Sequence, residues 1–141
     1  MADNEFVCGA YTPVSWPADN SHYSHVADPS GRTFLFSLVN AHGRAVKLRL
    51  ADGQHHSALN LTGAAWGPGF GADLRLMREK AANESNGCYA SPYSFELDED
   101  SERAAGLPPI PFAYDKALLA GDGSGCFGTF FAAAEIEVYE L

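Results

Sequence analysis

No stretch of the chain limits its fold more than Trp66-Gly67-Pro68-Gly69-Phe70-Gly71-Ala72-Asp73-Leu74-Arg75-Leu76. Closely spaced glycines permit a tight backbone path, because φ > 0 costs them no Cβ clash. Pro68 fixes its own φ and has no N–H to give to a ladder. Trp66 and Phe70 offer large apolar faces that can clamp such a loop. Beyond it, Leu74 and Leu76 fall on one side of an extended chain, and Asp73, Arg75 and Met77 on the other. The expectation is a structural loop (Trp66, Gly67, Pro68, Gly69, Phe70, Gly71, Asp73) feeding a half-buried strand. A phosphate-cradling loop would need free N–H groups backed by a lysine or a helix N-terminus. No Gly-Lys-Ser/Thr follows, and the next element has strand character.

The rest of the chain repeats this β grammar. Phe6–Tyr11 opens a β-prone run, and Thr12–Ser30 reads as a long loop pinned by Trp16, His22, Tyr23 and His25. Asp28-Pro29-Ser30-Gly31 carries turn chemistry. Thr33–Val39 is almost continuously apolar and predicts a strand buried on both faces. Asn40–Gly43 is a short turn. Ala45–Leu50 then alternates, with Val46, Leu48 and Leu50 inward and Lys47 and Arg49 outward, so the two runs predict an antiparallel hairpin. Asp52-Gly53 marks another turn, and His56–Leu61 is a third strand candidate.

Arg78–Gly87 suits a helical turn or a loop. Tyr89, Tyr93, Phe95 and Leu97 form a patchy strand interrupted by Pro92, and the acidic run Asp98–Glu102 leads into a proline-rich excursion. Ala117–Ala120 is a short apolar element, and Phe127–Phe131 and Ala134–Leu141 close the chain. Glu135–Leu141 alternates acid and apolar residues and carries the strongest β signal. No internal repeat or long amphipathic helix occurs. The predicted class is mainly β: an antiparallel β-sandwich with short peripheral helical segments and long loops. At 141 residues the chain fits a single domain spanning 1–141.

Charge and cysteine usage set the compartment. A formal net charge of −9 opposes approach to nucleic-acid phosphates and anionic lipid. The start Met1-Ala2-Asp3-Asn4-Glu5 is acidic where a secretory signal needs basic and apolar runs, and no apolar stretch reaches transmembrane length. Cys8, Cys88 and Cys126 make an odd number with no Cys-x-x-Cys spacing. Reduced thiols in a cytoplasmic protein are the expectation, without membrane insertion. The sequons at Asn60 and Asn83 then read as chance matches.

Several chemical motifs fail on context. Gly123-Ser124-Gly125-Cys126-Phe127-Gly128 matches G-x-G-x-x-G, yet the thirteen residues after Gly128 read as strand, where the dinucleotide reading needs a helix and a second βα unit. A glycine turn between strands is the better reading. His55 and His56, near His42 and Asp52, would point to opposite faces of a strand, and no Cys/His ligand spacing occurs, so no metal site is expected. Asp98–Glu102 lacks the glycine and terminal glutamate of a calcium loop. Cys126 is the candidate redox residue because a glycine turn would expose it, whereas Cys8 reads as a small buried hydrophobe. No catalytic residue and no cofactor is expected.

Three segments, in order, resemble the TLDc domain of the oxidation-resistance family. The first is Phe6-Val7-Cys8-Gly9-Ala10-Tyr11 with Ser15-Trp16, followed by Asp28-Pro29-Ser30-Gly31-Arg32-Thr33-Phe34-Leu35-Phe36-Ser37-Leu38. The second is Trp66–Leu74, similar to the family's "GP-x-FG…DL" turn. The third is Glu135-Ile136-Glu137-Val138-Tyr139, similar to its terminal strand. The resemblance runs from about residue 6 to 141. Two departures stand out: the turn lacks an extra glycine before Asp73, and family members carry roughly a third more domain ahead of the first segment, which would leave a strand edge for a homodimer or partner chain to cover.

The resemblance implies a β-sandwich flanked by helices, without established catalytic chemistry, tied to oxidative-stress protection and to binding the cytoplasmic sector of the vacuolar proton pump. A non-enzymatic protein-interaction role is therefore the leading expectation. Its candidate contacts are Trp16, Tyr23 and His25 in the early loop, with Asp98, Glu99 and Asp100 in the acidic run, since exposed aromatics anchor interfaces. The alternatives are a self-assembling structural protein and a small redox or hydrolytic enzyme using a cysteine. A pocket of convergent polar groups would distinguish the enzyme.

Overall fold

The computed structural model describes residues 6–16, 23–40, 43, 45–62, 69–71, 73–75, 88–90, 94–98, 129–131 and 139. The described strands are β1 (Val7–Tyr11), β2 (Tyr23–Val26), β3 (Phe34–Val39), β4 (Val46–Leu50), β5 (Leu59–Thr62), β6 (Gly69–Phe70), β7 (Leu74–Arg75), β8 (Cys88–Ala90), β9 (Phe95–Leu97) and β10 (Thr129–Phe131). They form two antiparallel sheets, ordered β1-β3-β4-β9 and β10-β8-β7-β6-β5-β2.

β4 shows why the fold closes as a sandwich. Val46, Leu48 and Leu50 are buried, Lys47 is exposed and Arg49 half-buried, as a period of two requires. From the first sheet, Leu35, Val46, Leu48, Leu50 and Phe95 enter the core; from the second come Leu59, Phe70 and Leu74, with Ala58 beside them. One apolar layer thus joins the two sheets. Each large side chain buried there contributes about 1.5–3 kcal/mol relative to exposure.

The β3–β4 hairpin forms as the alternation predicts, with Leu35 opposite Leu48 and Ser37 opposite Val46. At its turn the Gly43 amide donates to the Asn40 carbonyl at 3.0 Å. β3 itself is not buried on both faces. Leu35 and Ser37 are buried, Phe34 and Phe36 are half-buried, and Leu38 and Val39 are exposed. The apolar run that resembles a central strand instead covers the outer face with its own rings. Tyr11 and Phe34 stack at 5.3 Å, Lys47 Nζ lies 4.5 Å from the Phe34 centroid, and the Phe36 ring rests on Gly9. A Cβ on Gly9 would meet Phe36 at 2.5 Å, so the absent side chain makes room for the ring.

Other expectations change. The long loop 12–30 contains β2, which pairs antiparallel with β5 from Tyr23↔Thr62 to Val26↔Leu59. Its four residues hold too little apolar pattern to declare a strand, and β5 supplies the ladder. The third strand starts later than expected, because His55–Ser57 forms a 3₁₀ turn before β5. The patchy strand 89–97 is two strands, β8 in the six-stranded sheet and β9 in the four-stranded one.

Of the expected terminal strand 134–141 only Tyr139 is described; it is outside any strand and 75% exposed, and a period of two puts it on the face of Glu135 and Glu137. The expected elements at 78–87 and 117–120 lie outside the described residues.

Candidate functional site

Two buried carboxylates organise the joints between the strands. The first belongs to Asp28, at the turn from β2 to β3. Asp28 Oδ1 accepts from the Ser30 amide at 3.0 Å and from the Ser30 hydroxyl. Asp28 Oδ2 accepts from the Thr33 amide at 2.8 Å and the Thr33 hydroxyl at 2.7 Å. Aspartate followed by Pro-Ser-Gly favours this arrangement, because its side chain bonds the backbone two residues on. Thr33 Oγ1 lies 2.9 Å from Thr12 Oγ1, and the Asp28 amide donates to the His55 carbonyl at 2.9 Å. The network therefore links the end of β1, the start of β3 and the 3₁₀ turn. Burial alone would raise the Asp28 pKa, but hydrogen bonds from Ser30 and Thr33 hold it down to about 2.

The second carboxylate is Asp73, in the turn between β6 and β7. Asp73 Oδ1 accepts from the Ser94 amide at 2.6 Å, and Oδ2 from the Phe95 amide at 3.0 Å. Those amides open β9, in the opposite sheet. Expected on the outer side of a strand, Asp73 is fully buried instead, because β7 begins only at Leu74. Its neighbour Gly71 has φ 56, and a Cβ there would lie 2.8 Å from Ser94 Cβ. The glycine is needed for both the left-handed backbone and the close approach. The Gly71 amide donates to Ala58 O at 2.9 Å, so the turn is also tied to the start of β5.

Gly69, Phe70, Gly71 and Asp73 of the glycine stretch thus sit in one buried hairpin. Trp66, Gly67 and Pro68 lie outside the described residues.

Of the candidate contact residues, Trp16, Tyr23, His25 and Asp98 are described, and they fall on different elements. Trp16, 39% exposed, packs edge-to-face on Phe70 with ring centroids 5.5 Å apart. Phe70 belongs to the core, so Trp16 meets the core side of the six-stranded sheet. Tyr23 and His25 are in β2. His25 is exposed and stands opposite Asn60, on the face away from Leu59. Asp98 follows β9 in the other sheet, its amide donating to the Lys47 carbonyl at 3.0 Å. Glu99, Asp100 and Cys126 lie outside the described residues.

Other surface features were not singled out from the sequence. Val7, Leu38 and Val39 are exposed, Leu38 by 55%. Val7 pairs with Val39 across a register shift that leaves Leu38 as the extra residue, so the three sit together at the bulged end of β1 and β3. On the outer face of the same sheet, Arg49 pairs with Glu96 and reaches Asp52 at 3.6 Å. In β5, Asn60 Oδ1 is buried without a hydrogen-bond partner.

His56 Nδ1 lies 3.0 Å from Gly53 O, and the His55 ring packs on Gly31. The 3₁₀ turn, rather than a strand, sets these two side chains. Among the described residues no group of three or more His, Cys, Asp or Glu gathers as a metal site. No helix among them is long and apolar enough to cross a membrane.

Against known proteins, the chain matches no family model, no curated protein and no solved structure.

Proposed function

We propose that the chain is a non-catalytic, TLDc-like protein-interaction domain, with cytoplasmic subunits of the vacuolar proton pump as its partner class and oxidative-stress protection as its setting. The reading rests on the resemblance, and one observation supports it. In the glycine turn that carries the resemblance, Asp73 gives both carboxylate oxygens to the Ser94 and Phe95 amides. The turn's one acid therefore joins two sheets, and recognition falls to the surface, where Trp16 is, among the described residues, the largest exposed ring with a fixed partner. Asp98, Glu99 and Asp100 supply acidic contacts to the same partner.

The test is retention of purified pump subunits on the immobilised chain. Trp16→Ala is expected to weaken retention at least tenfold while the variant still unfolds cooperatively. Equal retention by the heat-denatured chain, or by an unrelated protein of similar charge, would overturn the proposal.

A second reading, self-association, is favoured by the exposed cluster Val7, Leu38 and Val39. Light scattering at low and moderate salt separates the two. A concentration-dependent dimer abolished by Leu38→Lys supports self-association, and a monomer at every concentration removes it.

A further inference from the structure

We draw no further inference here: the strongest candidate, the apolar patch of Val7, Leu38 and Val39 at the bulged end of β1 and β3, belongs to the surface already described with nothing in the structure to show what covers it, and the lone buried acceptor Asn60 Oδ1 on β5 names no ligand.

Discussion

Asp28 and Asp73 are both buried carboxylates in turns, yet they stabilise different things. Asp28 takes its donors from Ser30 and Thr33, two and five residues along the chain. Two of those four donors are hydroxyls, which can turn to other partners or to water. Asp73 accepts from main-chain amides 21 and 22 positions away, at the start of a strand in the other sheet. A local latch shapes a connection that would still be a turn without it. A long-range latch holds two layers in register and satisfies amides with fixed directions. The same side chain is thus worth more where its partners are distant and cannot reorient.

The largest expected effect follows from that difference. Asp73→Ala leaves the Ser94 and Phe95 amides without their acceptor, at about 1–3 kcal/mol each when buried. A loss of about 3–5 kcal/mol in urea denaturation is expected. Asp28→Ala, measured the same way at neutral pH, should lose about half as much, since Ser30 and Thr33 hydroxyls can find other acceptors. Equal losses would erase the distinction between the two turns.

Gly71→Ala comes next. A non-glycine residue at φ 56 costs about 1–2 kcal/mol in the left-handed region, and its Cβ would crowd Ser94 Cβ at 2.8 Å. The expected loss is about 2–3 kcal/mol. A second substitution, Ser94→Gly, separates the two causes through a double-mutant cycle. It should restore the Ser94 share of the steric part in the Gly71→Ala background and leave the backbone part and the Phe95 ring contact at 3.0 Å. A cycle with no coupling would show that the close approach of the two turns does not contribute.

How much of this was legible in the sequence follows from where the partners lie. Val46, Leu48 and Leu50 were readable because strand pleating writes itself as alternation within five residues. The turn at Asp28-Pro29-Ser30-Gly31 was readable because its donors are neighbours. The Asp73 latch was not, since main-chain amides carry no residue code, and nothing near Asp73 announces Ser94 and Phe95. β2 escaped notice for a related reason: Tyr-Ser-His-Val becomes a strand through pairing with β5, not through its own pattern. Phe34 and Phe36 misled in the opposite direction. An apolar run reads as doubly buried, but here rings, Gly9 and the Lys47 ammonium cover one another on an outer face. Trp16 and His25 share a loop in sequence, yet lie on opposite sides of the six-stranded sheet because β2 intervenes.

Acid titration sharpens the comparison from the Asp28 side. Its folded pKa of about 2 lies below the ordinary 3.8. A depressed carboxylate stabilises the fold fully above its unfolded pKa and loses that contribution as pH falls through the folded value. The window therefore runs from about pH 4 down to about pH 2, and the contribution at stake is on the order of 2 kcal/mol. Asp28→Asn should flatten this part of the stability profile, so that wild type and variant converge as pH falls through the window. Curves that stay parallel from pH 5 to pH 2 would show that the Ser30 and Thr33 bonds do not stabilise the ionised form.

The smallest effect comes from a carboxylate that is neither buried nor bonded to amides. Glu96 pairs with Arg49 on the outer face, both side chains about one-third exposed (33% and 39%), and Arg49 also reaches the fully solvated Asp52. Water screens such a pair, and ordering two long side chains offsets part of its attraction, so exposed pairs couple by about 0.2–1 kcal/mol. Glu96→Gln should cost less than 1 kcal/mol, and the loss should shrink as ionic strength rises past the point where the Debye length falls to about 3 Å, near 1 M. The losses from Asp73→Ala and Asp28→Ala should barely respond to the same salt, because their bonds are buried. Salt dependence thus ranks the three carboxylates by how much water reaches them, independently of the size of each loss. A Glu96→Gln loss that survives 1 M salt would place Glu96 with the buried latches, and would mean that burial does not set the order.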